Sequence, residues 1–273
     1  MYAVFIAALL GVLEGITEFL PISSTGHLIV AERLVNFKDI EDLFTVIIQL
    51  GAVAAVVWFY RIDLLQRVTG LFRRESEAIH FWKLLILGTI PAAIIGLAIE
   101  KSLNSLTTPL VVAISLIIGG VILYIVDRRP AIARVRRDAV IDFSPMTYKQ
   151  SLLIGLGQSV AIIPGVSRSG ATIVSGLLTG LNRPTATAYS FYLSVPILVL
   201  ASGYKLLKHG SSISALSGGP ISLVVGLVVS FVTALFAISW LLRYISGHDF
   251  RPFAYYRVGL GIVILLLISA HIL

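Results

Sequence analysis

The sequence contains no cysteine. Disulfides and thiolate metal sites are therefore excluded, and the redox compartment leaves no trace. Charge is also scarce, at 13% of residues against about 25% in ordinary soluble domains. The length of 273 residues would suit one or two soluble domains, but so few charges argue against a soluble protein. The short alternating segments that build a transmembrane barrel are missing, and long unbroken apolar runs stand in their place. The N-terminus lacks the Lys/Arg-rich start and small-residue cleavage site of a secretory signal, so no processing is expected.

Hydrophobic residues make up 57% of the chain and the mean hydropathy is +0.96. Lipid offers the backbone no hydrogen-bond partners, and helices satisfy their own. The expected fold class is an all-α polytopic membrane protein. The net charge of +7 then reads as topology-setting basic loops rather than a nucleic-acid surface, so no nucleic-acid partner is expected. The bilayer itself is the expected surrounding, and a homodimer is left open.

Full spans are expected at about Leu43 to Tyr60, Phe81 to Ile99 (with Pro91 inside) and Pro109 to Val126. A second set is expected at about Thr187 to Tyr204, Pro220 to Leu242 and Phe253 to Leu273. A span needs about 20 apolar residues, and two apolar stretches are broken before reaching that length. EGITEFLPISSTGH at 14–27 interrupts the first, and PGVSRSGAT at 164–172 interrupts the second. Each reads as a helix–loop–helix that enters the membrane and turns back, tolerated at depth only where it is buried in protein or lines a polar cavity. An offset of 144 places Gly11 on Gly155, Glu14 on Gln158, Ser23 on Ser167 and Gly26 on Gly170. Residues 1–127 and 148–273 thus read as two repeats, each a re-entrant hairpin plus three spans, joined by a basic cytoplasmic linker at 128–147. Three spans is an odd number, so the second repeat is expected to be inverted. With residues 34–42 outside, fifteen of the 21 Lys and Arg residues fall on the inner side, Arg257 among them in an inner loop, and five on the outer. That bias places both termini outside.

The two broken tips concentrate the chemistry. Ionisable groups at membrane depth are costly and mark function by default. Glu14 and Glu18 are four residues apart, so on a helix they share a face with Cβ atoms roughly 6 Å apart. They suit a divalent cation, Mg²⁺ or Ca²⁺, that would bridge to phosphate oxygens. Arg168, ringed by Ser167, Ser169, Thr172 and the glycines at 165 and 170, suits phosphate itself. Ser23, Ser24 and Thr25 supply hydroxyls beside His27, and capping of the next helix is an alternative use for each. Ser24 is a candidate nucleophile with His27 three residues on as its base; His27 itself or water are alternatives. Gln49, alone in an apolar run, is expected to face the cavity as a hydrogen-bond partner. A purely structural pairing of the glutamates with Arg168 is the competing reading.

These two motifs, in this order, resemble those of the bacterial undecaprenyl-diphosphate phosphatase family, also linked to bacitracin resistance. The resemblance covers nearly the whole chain. It implies removal of the terminal phosphate from undecaprenyl diphosphate, recycling a lipid carrier of peptidoglycan synthesis. It assigns Glu14 and Glu18 to metal and catalysis, Ser24 and His27 to nucleophile or base, and Arg168 to the diphosphate. It further implies a bacterial cytoplasmic membrane location with the site open to the outer, periplasmic face. Repeats with broken hairpins also occur in transporters, so a flippase of phosphorylated polyprenyl lipids is the alternative from another class.

Overall fold

The computed structural model describes residues 1–39, 42–103, 107–129 and 141–273, and the described residues form helices and loops only. The first part of the chain supplies α1 (Tyr2–Thr17), α2 (Ser24–Leu34), α3 (Leu43–Phe59), α4 (Arg61–Phe72), α5 (Ser76–Leu103) and α6 (Pro109–Asp127). The second supplies α7 (Tyr148–Ser159), a 3₁₀ turn at Val160–Ile162, α8 (Arg168–Leu178), α9 (Arg183–His209), α10 (Gly219–Ile245) and α11 (Arg251–Ser269). Five of these helices are long and apolar enough to cross a membrane, and six if α3 and α4, bent by 73° at Tyr60, count as one span. Most of the expected basic linker, residues 130–140, lies outside the described residues.

Local chemistry sets the helix starts. Thr108 caps α6 through the N–H of Val111, and Pro109 follows at the first helical position, where no donor is needed. Thr147 and Gln150 form a reciprocal capping box at the start of α7. Asn182 caps α9 through the Thr185 N–H at 2.7 Å. The span expected to start at Phe81 begins at Ser76 and continues as one helix through Pro91. A proline in a membrane helix is tolerated where neighbouring groups take up the carbonyl that it frees.

Lipid tails are as apolar as leucine, so these helices associate by close packing rather than by leaving water. α1 lies along α10, α7 lies along α5, α6 pairs with α11, and α3 sits against both α9 and α10. Two contacts are backbone-close: a Cβ at Gly11 would collide with the Gly226 carbonyl, and one at Gly155 with the Gly88 carbonyl. Outward-facing side chains such as Ile94, Val224, Phe236 and Leu266 are large, apolar and exposed, as a lipid-facing surface requires. Asp127 ties three elements at one end of the bundle. It accepts from Arg183 Nε at 2.7 Å and from the Phe250 N–H at 3.0 Å. The two broken segments, 18–23 and 160–167, meet in the interior, where Ser169 Oγ donates to the Leu20 carbonyl at 2.8 Å.

Candidate active site

Both loops end in the same local device. Ser23 (φ 72°, ψ 93°) and Ser167 (φ 71°, ψ 114°) are the N-caps of α2 and α8. Each accepts from the backbone N–H three residues on, Gly26 at 3.2 Å and Gly170 at 3.1 Å. A positive φ at a residue with a Cβ costs on the order of 1–3 kcal/mol and persists where the surroundings hold it. The cap bond and burial of both serines provide that hold. The device fixes the next residue at the first position of a helix: Ser24 in one loop, Arg168 in the other.

Glu18 is the hub of the arrangement. It closes α1, its N–H bonded to the Glu14 carbonyl, and its two carboxylate oxygens are shared between the loops. One accepts from Arg168 at 2.8 Å; the other accepts a short hydrogen bond from Ser24 Oγ. Arg168 also donates to the Ser190 carbonyl at 2.9 Å and lies over the buried Phe19 ring. Its Nε–H is buried and has no partner among the described residues. An unmatched donor on a guanidinium already bonded to a carbonyl and a carboxylate fits an anion that would bring further oxygens.

Glu14 is fully buried, and among the described residues no donor reaches either of its oxygens. Glu18 and Arg168 lie within electrostatic reach. Two carboxylates bond to one another only by sharing a proton, so two ionised ones call for a cation. No group of three or more His, Asp or Glu side chains suited to a metal occurs among the described residues. Two carboxylates, completed by water and phosphate oxygens, match the way Mg²⁺ is commonly held at phosphate sites.

Among the described residues His27 makes no hydrogen bond to Ser24. Its Nδ1–H donates to the Ser23 carbonyl at 2.6 Å, which leaves Nε2 to accept from Tyr256 OH at 2.7 Å. The two rings stack at 5.6 Å with only 6° between their planes. The side chain that faces the Ser24 hydroxyl is thus Glu18.

The remaining expected residues divide. Ser167 Oγ lies 3.1 Å from Ser169 Oγ, and Ser169 reaches across to Leu20. Thr172 Oγ1 lies 2.6 Å from Ser190 Oγ and 3.0 Å from the carbonyls of Arg168 and Ser169. These hydroxyls join the second loop to the first and to α9. Thr25 is half-buried and Gln49 is buried on α3; among the described residues neither side chain bonds to the others.

Arg257 is a correction. Counted with the inner basic loop although the span expected from Phe253 contains it, Arg257 is 1% exposed on α11. Its guanidinium donates to the carbonyls of Pro21, Ser115, Leu116, Gly165 and Val166 at 2.8–3.4 Å. Broken backbone at depth leaves carbonyls without partners, and this one side chain serves carbonyls of both loops. Proximity to basic neighbours hid it in the sequence. Its place six residues into a helix with apolar residues beyond was the available signal. Tyr256 and Ser190 carried no such signal.

A family model described as "Bacitracin resistance protein BacA" matches residues 7–263, which include both loops. The chain is similar to "Undecaprenyl-diphosphatase" of Nitrosospira multiformis, 44% identical over 260 residues, covering 94% of this chain and 92% of the relative. It is 46% identical over 264 residues to "Undecaprenyl-diphosphatase 2" of Rhodospirillum rubrum, covering 95% and 93% of the two chains. It is 43% identical over 263 residues to "Undecaprenyl-diphosphatase 3" of Acinetobacter baylyi, covering 96% of each.

Proposed function

The chain belongs to the bacitracin resistance protein BacA family, and from that premise we propose that it hydrolyses undecaprenyl diphosphate at the centre formed by Glu18, Ser24 and Arg168. The products are undecaprenyl monophosphate, the lipid carrier returned to cell-wall synthesis, and phosphate. The observation that carries this assignment of the site is the double use of the Glu18 carboxylate, paired with a guanidinium on one side and accepting from a hydroxyl on the other.

Arg168 receives oxygens of the diphosphate, adding its free Nε–H to the donors it directs there. Ser24 Oγ attacks the terminal phosphorus while Glu18 takes the hydroxyl proton. The bond from that phosphorus to the bridging oxygen breaks, and undecaprenyl monophosphate departs. Water then attacks the phosphoserine, Glu18 relaying the proton to Ser24 as the phosphorus–Oγ bond breaks and phosphate leaves. A divalent cation, Mg²⁺ or Ca²⁺, held by Glu14 with Glu18 would offset charge on the phosphoryl oxygens. The buried Glu14 carboxylate, with no donor of its own, supports that role. His27, held by Ser23 and Tyr256, borders the centre and orients the loop that presents Ser24.

We also propose that residues 1–127 and 148–273 are inverted repeats, so that the two hairpins enter from opposite faces. The matched N-caps at Ser23 and Ser167 and the exchanged glycine crossings, Gly11 on Gly226 and Gly155 on Gly88, support it. Basic loops on one side support the orientation of the helices, and the family resemblance supports a cytoplasmic-membrane location with the site open to the outer face. The scheme is complete within one copy of the chain.

The test is phosphate release from undecaprenyl diphosphate by purified protein in detergent, with Mg²⁺, with Ca²⁺ and with chelator. Metal-dependent release is expected. Lipid binding without release under any metal would contradict hydrolysis and leave a flippase.

A further inference from the structure

We infer that the groove between α1 and the first turns of α11 seats the isoprenoid chain of the substrate next to its diphosphate, an inference that rests on the phosphatase reading above. One wall comes from α1, where Leu9, Leu13 and Ile16 recur at the three- and four-residue spacing that shares a helix face, and from Leu20 in the broken segment that follows. The other comes from Phe253 and Tyr256 on α11. The groove encloses about 500 Å³, inside the ~300–1,000 Å³ of ordinary ligand pockets.

An apolar crevice on a membrane protein is ordinarily covered by lipid and needs no dedicated occupant. This one differs at its inner end. Its polar lining is confined to Thr17, whose hydroxyl is spent on the Leu13 carbonyl at 2.6 Å, and the His27–Tyr256 pair. His27 lies one helical turn after Ser24 and is bonded to the Ser23 carbonyl. The groove and the phosphate centre therefore share a wall, and a chain whose diphosphate lies at Arg168 and Ser24 runs past His27 into the apolar channel. Tyr256, 47% exposed, stands at the junction with its ring against the channel and its hydroxyl on His27.

The occupant leaves lipid, not water, so the groove gains little transfer free energy from it. Its contribution is close packing that holds the first isoprene units equally in the bound and the reacting state, and so keeps the diphosphate beside Ser24. A linear isoprenoid chain of any length sufficient to fill the groove should then dock alike, with the remainder in the bilayer.

Val12 lines the groove and is only half-buried, so a larger side chain there narrows the channel without entering the core. Val12→Trp is expected to raise the KM for undecaprenyl diphosphate by about tenfold with kcat within about twofold, the pattern of a lost binding contact. Val224→Trp, on the lipid-facing side of α10 and 62% exposed, should change neither. A polyprenyl diphosphate carrying a diazirine on its first isoprene units should label residues 9–20 and 252–256, and unlabelled substrate should suppress that labelling. Unchanged KM in Val12→Trp, or labelling elsewhere, would overturn the inference while phosphate release by the wild type kept the phosphatase reading intact. Equal labelling by a diazirine phosphatidylcholine, insensitive to the diphosphate, would also overturn it, since the groove would then be a crevice for bilayer acyl chains. No release by the wild type would instead remove the reading on which the inference rests.

Discussion

Ser24 and Arg168 occupy the same place in two loops, the first residue of a helix behind a strained serine cap. Glu18 joins them, and Glu14 stands behind with no donor of its own. The proposed scheme gives the two glutamates separable tasks, cation binding at Glu14 and proton transfer at Glu18. Glu14→Gln should lower affinity for the divalent cation by at least about tenfold while excess cation restores most of the rate, because a neutral amide is a weaker oxygen ligand. A titration of activity against free Mg²⁺ and Ca²⁺ checks this, and an unshifted midpoint would contradict it. Residue types and spacing made Glu14, Glu18, Ser24 and Arg168 legible as a cluster. Which group faces which was not legible, because that depends on side-chain directions across two hairpins 150 residues apart. The spacing suggested His27 for Ser24; the fold gives the hydroxyl to Glu18 and gives His27 to Tyr256.

At the scale of elements, the broken loops leave backbone carbonyls that a continuous helix would have satisfied, and Arg257 answers for both loops at once. Arg257→Met would leave those carbonyls buried without a donor, at ~1–3 kcal/mol for each one not reached by water. We expect a lower melting temperature and at least about a tenfold loss of phosphate release, since a small displacement at a reacting centre is costly. A variant with wild-type melting and rate would show that the contacts are dispensable. The other tie lies where α2 passes to α3. Asp39 accepts from the N–H groups of Phe44 and Thr45, and Glu32 accepts from the Thr45 hydroxyl. Burial, with neighbouring carboxylates adding to it, pushes Asp39 up to about 6 and Glu32 up to about 8, although both side chains are only half-buried. Raised carboxylate values mean that the folded protein holds protons that the unfolded chain has released. Their stabilising contribution is full below the ordinary values of 3.8 and 4.5 and is lost as pH rises through about 6 and about 8. The melting temperature should fall between pH 5 and 8 more steeply in the wild type than in Asp39→Asn/Glu32→Gln. Equal slopes would contradict the assignment. Apolar runs made the helices themselves legible, whereas the added turn of α5 before Phe81 and the bend at Tyr60 follow from packing that no run of residues displays.

At the scale of the molecule, the proposed inversion makes one site from two loops that approach from opposite faces. The absence of native cysteine makes orientation directly readable with single-cysteine variants. Lys38→Cys should react with a membrane-impermeant maleimide in intact cells, and Arg74→Cys only after permeabilisation. The opposite pattern would turn the molecule over and place the site's opening on the inner face. The proposed repeats rest on glycines and serines at a fixed offset in the sequence. The packing of α1 on α10 and of α7 on α5 was not readable there, because it joins residues distant in the sequence.

The central claim is that Glu18 and Ser24 act as one unit on the terminal phosphate. The measurement that tests it most directly is kcat for phosphate release from undecaprenyl diphosphate in Glu18→Gln, Ser24→Ala and the double variant. Each single variant should lose at least about 100-fold, and the double variant should be little worse than either, because groups in one unit are not additive. A Ser24→Ala enzyme near the wild-type rate, or losses that multiply in the double variant, would contradict the account.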